Sequence, residues 1–521
     1  MTKLQFSLII IATFVVAVIP FLFDIYYATP DDPRYIGLVS GAYTGTPQRE
    51  LIYLGSIIGS IEAFLYRKFS DLEWYSIIYY LLSLSSFITL ELLLLRSTLK
   101  HYLKYSILAL LLVVQIYLTL SPQFTLLSTQ LGFTSLLTML CANKKKFRYF
   151  ISFIFFFFAI QLRFVAAFIP FMIACPLFLY DFRPHNRSWW VEKSWVIGLI
   201  LIASLSLIAE NKTYNTPEWR EFNITNDARG YIADNPIAAE YTGSIIDKKE
   251  RIAYDLFYRF RIFDLNITTQ KDFLRYAKDL HQRTLDNIKI NFRPYLTIYL
   301  KMGGGMLFLT ACWLLFELLR KRQWWTLCLL AGSCMLFIIA NLHMMSYSIY
   351  KERVMLGCYV SIAFVLSYIL LNNARNAKLI LTVICIITCI QYTKYDYDKI
   401  QQSRYGISLV RETENMILSS KTNKVMLLVP TCLTPEAFHT SKSPIYTHSV
   451  IQGWMHIYPK SNTTFQPFTS FTEGLPILVE KSSIEQISLI RELIKMQYGI
   501  YTSVTKINES NHYILLKLKP E

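Results

Sequence analysis

Two adjacent carboxylates, Asp31 and Asp32, follow the first apolar stretch of the chain. Pro33 comes directly after them, and a patch of small residues runs from Ser40 to Pro47. Charged side chains beside a hydrophobic helix are costly to hold, and they usually face a water-filled cavity or a partner. We expect this pair to carry out acid–base chemistry in such a cavity. The structural alternative for Asp32 is a helix N-cap, because aspartate is favoured there and proline at the next position.

Three cationic side chains lie where their surroundings disfavour them. Arg163 is the single charge in the apolar run from Phe153 to Cys175. An intramembrane arginine pairs with an acid, reaches the lipid headgroups or holds an anion. Lys351 and Arg353 lie on the outer side of the expected topology, which the positive-inside rule leaves poor in basic residues. A phosphate group would explain all three cations, and an internal pair with Glu352 is the alternative for the last two.

The need for a metal or another cofactor stays open at this level. Asp31, Asp32 and a further outer carboxylate offer the oxygen ligands that Mg²⁺ or Mn²⁺ prefers, but no spacing in the chain requires a metal. The nine cysteines show no metal-binding or disulfide spacing, and most lie in apolar runs.

The composition is that of a helical membrane protein that crosses the bilayer many times. The chain of 521 residues is 53% hydrophobic and only 17% charged, and its mean hydropathy is +0.34. Apolar runs recur at the length of roughly 17–25 residues that a membrane-spanning helix needs. The net charge of +16 does not indicate nucleic-acid binding, because much of the lysine and arginine clusters at the ends of these runs.

The basic clusters order the apolar runs into about eleven crossings, with the N-terminus in the cytoplasm and the C-terminus outside. Residues 51–69 are expected to lie along the outer interface, because a crossing there would place later basic clusters outside. Residues 149–180 form either two short spans that turn near Arg163 or one overlong helix. The outer loops are expected at residues 24–73 and 210–295. We expect a multi-pass protein of a bacterial inner membrane.

The second half of the chain adds a small soluble unit. Residues 296–319 are expected to form one span, with glycines 303–305 packing closely against a neighbouring helix. A membrane domain of residues 1–394 is followed by an extracytoplasmic α/β domain of residues 395–521. Its predicted elements are strands at 425–429, 445–450 and 513–518 and an amphipathic helix at 484–496. The predicted fold class is an all-α polytopic membrane protein with outer-face loops and this small C-terminal domain.

This layout resembles the C-type (GT-C) membrane glycosyltransferases, a superfamily that includes protein O-mannosyltransferases, aminoarabinose transferases of lipid A and mycobacterial arabinosyltransferases. The resemblance rests on Asp31-Asp32, on the turn from Ser40 to Pro47, on the stretch 51–74 that ends in Trp74-Tyr75, and on the topology of residues 1–400. Gln48-Arg49 depart from the pattern, since many relatives have a second proline and an apolar residue there.

The resemblance implies a sugar donor on a polyprenyl phosphate or diphosphate, and transfer to a glycan, lipid or protein on the outer face. An inverting transfer needs a base for the acceptor proton and cations for the phosphate that leaves. We therefore expect Asp31, beside Asp32, to act as the base, and Arg163, Lys351 and Arg353 to bind the donor phosphate.

Two rival functions are compatible with a many-helix membrane protein. A polysaccharide polymerase of the O-antigen type is expected to rely on arginines of the large outer loop, here Arg251, Arg259 and Arg261. A lipid or polysaccharide transporter would need charges deep in several spans and usually inverted repeats. The sequence shows neither of the transporter features.

Overall fold

The computed structural model describes residues 2–141, 146–178, 195–301, 304–347, 352–373, 377–422, 424–428, 433–450, 453–460 and 466–521. Within these residues the chain is mostly helical and ends in a small mixed sheet. The helices of the first part are α1 (Lys3–Leu22), α2 (Asp31–Val39), α3 (Ser56–Lys68), α4 (Trp74–Leu95), α5 (His101–Leu120), α6 (Phe124–Leu140), α7 (Lys146–Phe178) and α8 (Trp195–Tyr214).

Helices of the large loop and of the later apolar runs follow. They are α9 (Pro217–Ala233), α10 (Lys248–Phe260), α11 (Gln270–His281), α12 (Thr284–Lys301), α13 (Gly304–Arg320), α14 (Trp324–Tyr347), α15 (Glu352–Asn373) and α16 (Ala377–Ser419). The C-terminal elements are β1 (Val425–Leu428), α17 (Pro444–Thr447), β2 (Ser449–Val450), α18 (Pro467–Thr472), β3 (Ile477–Glu480), α19 (Gln486–Tyr498), β4 (Thr502–Glu509) and β5 (Tyr513–Pro520).

The described helices are compatible with a polytopic membrane protein. Eight of them are long and apolar enough to cross a bilayer, or nine if α12 and α13 together form one bent span. The eight are α1, α4, α5, α7, α8, α14, α15 and α16, in which α7 is counted once although it is divided into two arms at Arg163. The helix α3 has 13 residues, fewer than the roughly 20 that a span needs. The count of eleven spans, their orientation and the identity of the membrane stay predictions.

Helix α7 is a helical hairpin that turns at Arg163. This residue has φ −161° and ψ 104°, which is extended backbone between two helical arms. The ring of Phe156 lies 5.3 Å from that of Phe168 and 5.4 Å from that of Phe171. Fifteen residues would cover about 22 Å in a straight helix, so the arms must fold back on each other. The predicted turn near Arg163 is confirmed, and the alternative of one overlong helix is wrong.

Helix α6 packs between the two arms of this hairpin through small residues. The Ser128 hydroxyl donates to the carbonyl oxygen of Ala159 at 2.7 Å and to that of Arg163 at 2.9 Å. A Cβ on Gly132 would lie 2.5 Å from the carbonyl oxygen of Ala167. Small residues let helix backbones approach closely in membranes. The turn at Arg163 is therefore held against the first turns of α6.

Replacing Gly132 with alanine is expected to destabilise the protein by about 1–3 kcal/mol, because the new methyl group would overlap the Ala167 carbonyl and push α6 from α7. Thermal unfolding in detergent measures the effect. The control is Gly230→Ala on α9, where a Cβ would meet no atom within 4 Å; that variant should melt as the wild type does or slightly higher. Equal melting temperatures for the two variants would contradict the packing.

The expected span at residues 296–319 is not one straight helix. It is divided between α12 and α13, whose axes bend by 84°. A Cβ on Gly304 would lie 2.5 Å from the carbonyl oxygen of Tyr299, and one on Gly305 would meet only Leu300, at 3.8 Å. The expected close packing is therefore found at Gly304, against the preceding helix α12 where the chain bends sharply, whereas Gly303 lies outside the described residues.

The C-terminal sheet has the strand order β2-β1-β3-β5-β4. The strands β1, β2 and β3 run parallel, and β5 pairs antiparallel with both β3 and β4. The strands predicted at 425–429 and 513–518 are confirmed in position, whereas the strand predicted at 445–450 is wrong, because Pro444–Thr447 is helical and only Ser449–Val450 pairs. Helix α16 continues across the expected domain boundary at 394/395.

The C-terminal domain is docked on the first loop of the helical part. The Tyr458 hydroxyl donates to the carbonyl oxygen of Glu50 at 2.8 Å, and the Lys460 ammonium pairs with the Glu50 carboxylate at 2.6 Å. The backbone N–H of Ala437 donates to Ile25 at 2.7 Å. One hydrophobic cluster includes buried residues of α1, α2, α6, α7 and β5. The two parts therefore share a core around the loop that carries the acidic pair.

Candidate functional site

Asp31 is the first residue of α2, and its side chain is 24% exposed. Its Oδ1 accepts a hydrogen bond from the indole Nε1 of Trp454 at 3.3 Å, and the guanidinium of Arg34 pairs with the same oxygen at 3.5 Å. Arg34 lies one helical turn further along α2, whereas Trp454 belongs to the C-terminal domain. The carboxylate is therefore held from two sides and keeps part of its surface open to a ligand.

Asp32 is fully buried behind Asp31, and both of its oxygens accept hydrogen bonds. Its Oδ1 accepts from the Tyr75 hydroxyl at 2.9 Å and from the backbone N–H of Phe124 at 3.0 Å, and its Oδ2 accepts from Thr29 at 3.1 Å. The prediction that Asp32 caps its own helix is wrong, because α2 begins at Asp31 and has no side-chain cap. Asp32 instead accepts the backbone N–H of Phe124, the first residue of α6, while Gln123 is the N-cap of that helix. Asp32 supports the site rather than facing it.

Burial raises the pKa of the Asp32 carboxyl to about 7, and the negative charge of Asp31 adds to the rise. The hydrogen bonds from Tyr75, Phe124 and Thr29 favour the charged carboxylate, so they oppose this rise of the pKa. An aspartate in an unfolded chain loses its proton near pH 4. The folded protein therefore keeps this proton over a pH range in which the unfolded chain has released it.

The free energy of unfolding of the wild type is expected to fall as the pH rises from about 4 to 7. Asp32 alone contributes a decrease on the order of 4 kcal/mol. Asp32→Asn removes the titrating group and keeps an oxygen that can accept from Tyr75 and Phe124. Thermal unfolding of both proteins at pH 5 and pH 8 tests this. The drop between the two pH values should be smaller in the variant, and an equal drop would contradict the role of Asp32.

Arg163 lies at the turn of the α7 hairpin, close to two aromatic rings. Its guanidinium carbon is 4.4 Å from the centroid of the Tyr53 ring and 5.8 Å from that of Phe124. Both distances are in the range of cation–π attraction. Tyr53 has φ +70°, a conformation that is uncommon for a residue with a side chain and that occurs often at functional sites. The aromatic rings thus fix a cation beside the start of α6.

The side chain of Tyr35 links Asp31 with Arg163. Its ring is completely buried and packs against Phe124 at 5.4 Å and Trp454 at 5.7 Å. Its hydroxyl has no hydrogen-bond partner among the described residues. Burial raises the pKa of this hydroxyl, nearby Asp31 raises it further and Arg163 opposes the rise. The structure therefore brings the predicted acid and the predicted cation around one unpartnered polar group.

Residues 226–229 of the large loop, whose charges could bind an acceptor or lie on a solvated surface, also reach this place. The amide of Asn226 donates to the Tyr53 hydroxyl at 3.1 Å, and Arg229 donates to the Asn226 side-chain oxygen at 2.9 Å. Burial, with Arg34 and Arg261 nearby, lowers the pKa of Arg229 to about 10, so the side chain stays charged at neutral pH. The sequence alone explains these charges equally well by acceptor binding and by a solvated surface, and the contact with Tyr53 now places Asn226 and Arg229 beside Arg163.

The other two predicted phosphate-binding residues follow α14. Lys351 lies outside the described residues. Arg353 is in the first turn of α15, a helix that runs alongside α6 in the same direction: Gly357 lies against Thr129, and the Phe364 ring is 5.6 Å from that of Phe133. Arg353 is therefore at the Phe124 end of α6. No hydrogen bond or ion pair joins it to Asp31 or Arg163 within the described part of the chain.

The arginines that the polymerase hypothesis requires are on or beside α10. Arg251 pairs with Asp255 at 3.2 Å. Arg261 donates to the carbonyl oxygens of Tyr258 at 2.7 Å and Ala233 at 2.9 Å, so it ties α10 to α9. Arg259 is exposed. Two of the three guanidinium groups thus have partners that account for them structurally.

Among the described residues, no group of three or more histidine, cysteine, aspartate or glutamate side chains is placed to hold a metal ion. The metal requirement stays open. No family model, no curated protein and no solved structure matches this chain. The resemblance to the GT-C enzymes therefore rests on the residues and the layout described above, and membership stays a prediction.

Proposed function

We propose that the protein is a membrane glycosyltransferase of the GT-C type. It transfers a sugar from a polyprenyl-phosphate-linked donor to a glycan, lipid or protein acceptor on the outer face of a bacterial inner membrane. The observation that carries the proposal is that the buried Tyr35 ring packs on Trp454, which binds Asp31, and on Phe124, which contacts Arg163. A partly exposed acid and a cation at the turn of an apolar hairpin are the two groups that this transfer requires.

Asp31 acts as the general base. It accepts the proton of the acceptor hydroxyl while that oxygen forms a bond to the anomeric carbon of the sugar. The ion pair with Arg34 and the hydrogen bond from Trp454 orient the carboxylate. Asp32 stays behind it, where its hydrogen bonds to α4 and α6 hold the start of α2 in place.

Arg163 binds the phosphate of the donor. As the bond between the anomeric carbon and the phosphate oxygen breaks, the electron pair stays on the phosphate, and a guanidinium stabilises this charge with hydrogen bonds suited to phosphate oxygens. The position of Arg163 at the turn between two apolar arms supports contact with a phosphate that is attached to a lipid. Arg353, and Lys351 beyond the described residues, are further candidates for this phosphate.

Two features support this function over the rivals. The polymerase hypothesis depends on Arg251, Arg259 and Arg261, of which the first and last have structural partners. The transporter hypothesis offers no role for a C-terminal domain that contacts the acidic residue of the first loop. The transferase hypothesis uses both the acid and this contact.

The experiment that tests the proposal is transfer of labelled sugar. Membranes that contain the protein are incubated with radiolabelled sugars on polyprenyl phosphate, and the products are separated into lipid, glycan and protein fractions. Movement of label that depends on the protein is expected, and the fraction that gains it identifies the acceptor. Membranes without the protein are the control. Label that stays on the donor for every sugar tried would contradict the proposal.

A further inference from the structure

A buried cation of the large outer loop forms no ion pair within the described residues. Arg229 is 7% exposed. Its Nη2 donates to Asn226, which is neutral, and its Nε has no hydrogen-bond partner among the described residues. Within the same residues no carboxylate lies at ion-pair distance from it. A buried charge is costly unless it is paired, so this arginine is set up to receive a negative group.

The surroundings of Arg229 are rich in positive charge. Arg34 and Arg261 lie close enough to disfavour its charged form, and Asp234 is the carboxylate that favours it. Near the Tyr53 hydroxyl, Arg229 and Arg163 are both within electrostatic range, and Asp31 and Asp227 are the negative groups there. Arg34 already pairs with Asp31. A ligand that brings negative charge would relieve the repulsion between these guanidinium groups.

Two distinct cation positions flank Tyr53. Arg163 stacks on the face of its ring, and Arg229 reaches its hydroxyl through the Asn226 amide. The first cation belongs to the turn of an apolar hairpin, whereas the second belongs to α9, a polar helix that is not one of the candidate spans. Tyr53 itself is 43% exposed. In the proposed transfer reaction, the first position would take the lipid-linked phosphate, which leaves the second position for the acceptor.

We propose that Arg229, with Asn226 and the Tyr53 hydroxyl, binds an oxyanion of the acceptor, a phosphate or a carboxylate. The acceptor is therefore an acidic molecule, such as a phosphorylated or uronic-acid-containing glycan or lipid. The binding of an anion by Arg229 follows from the contacts above, whereas its assignment to the acceptor rests on the proposed glycosyltransferase function.

Anion binding is measured on the full-length protein in a maltoside detergent that contains no phosphate. Inorganic phosphate is titrated by ³¹P NMR line broadening and galacturonate by ¹³C line broadening, in an Arg163→Gln background that removes the first cation. Adding Arg229→Gln is expected to weaken binding of at least one probe by about tenfold, the loss of a charge-assisted hydrogen bond. The probe whose binding is weakened distinguishes an acceptor that carries phosphate from one that carries a uronic acid.

The matched control is Arg220→Gln on the same helix, where the exposed guanidinium binds Asn215 at 2.6 Å; it should bind both probes normally. Since Arg229 is buried, Tyr53→Phe is a second variant that leaves the buried charge in place, and several-fold weaker binding is expected. Unchanged affinities in both variants, or no binding by the parent protein, would overturn the site. Arg229-dependent binding without any sugar transfer would leave the anion site standing and refute the glycosyltransferase.

Discussion

Replacing Asp31 with asparagine is expected to lower the rate of sugar transfer by about 100- to 10,000-fold, the range that a general base contributes. The amide cannot take a proton, but its oxygen can still accept from the Trp454 indole as Asp31 does. Binding of the lipid-linked donor should stay within about threefold of the wild type, because Arg163 and Tyr53 are unchanged. Single-turnover transfer and donor binding, measured on the same preparation, separate the two effects.

The control for this variant is Asp71→Asn, in the exposed turn between α3 and α4. It removes the same charge from an exposed position elsewhere in residues 24–73 and should transfer at the wild-type rate. A melting temperature of Asp31→Asn close to that of the wild type would exclude unfolding as the cause. Full activity of Asp31→Asn would remove the base from the mechanism and favour a rival function.

The apolar helices could be predicted where one hydrophobic run has clear ends. The apolar run of residues 74–95 predicts a span, and α4 has those bounds because a polar loop precedes Trp74 and Arg96 follows the run. Composition does not show a bend inside such a run. The break between α12 and α13 was missed for this reason. The turn in α7 could be proposed only because a charge, Arg163, interrupts an apolar stretch.

Short strands were the least predictable part of the fold. The strand β3 has four residues, and β2 has two. Segments this short take their conformation from the neighbours with which they pair, more than from their own residues. Residues 445–450 look like a strand in isolation, but Pro444 starts a helical turn whose N-cap is the Ser443 side chain. Tertiary pairing then leaves only the last two residues in the sheet.

Part of the candidate site could be predicted from the sequence. Asp31 and Arg163 stood out because charges are unusual beside or within apolar runs. Trp454 could not be found in this way, since it contacts Asp31 across 423 residues of chain. The pairing of Asn226 with Tyr53 spans 173 residues and had no local signal either. The supporting role of Asp32 also needed the fold, because its partner Phe124 starts a different helix.

Replacing Arg163 with glutamine is expected to weaken binding of the polyprenyl-phosphate donor by about 10- to 100-fold, the loss of charge-assisted hydrogen bonds to phosphate in a partly buried site. The backbone should tolerate the change, because Arg163 has an extended φ of −161° that any residue can adopt. Arg163→Lys keeps the charge but not the planar fork, so an intermediate affinity is expected. Equilibrium binding of labelled donor is measured on the purified wild type, Arg163→Gln and Arg163→Lys.

Arg148→Gln provides the matched control, because Arg148 is also on α7 but lies about 22 Å away along its first arm, where it binds the carbonyl oxygen of Cys141. That variant should bind donor normally. The comparison separates two roles of a cation in an apolar hairpin. If Arg163 only reaches lipid headgroups, both variants will keep the donor affinity of the wild type. If Arg163 holds the donor phosphate, only its own replacement will lower that affinity, and the rate of transfer will fall at low donor concentration and recover as the site fills.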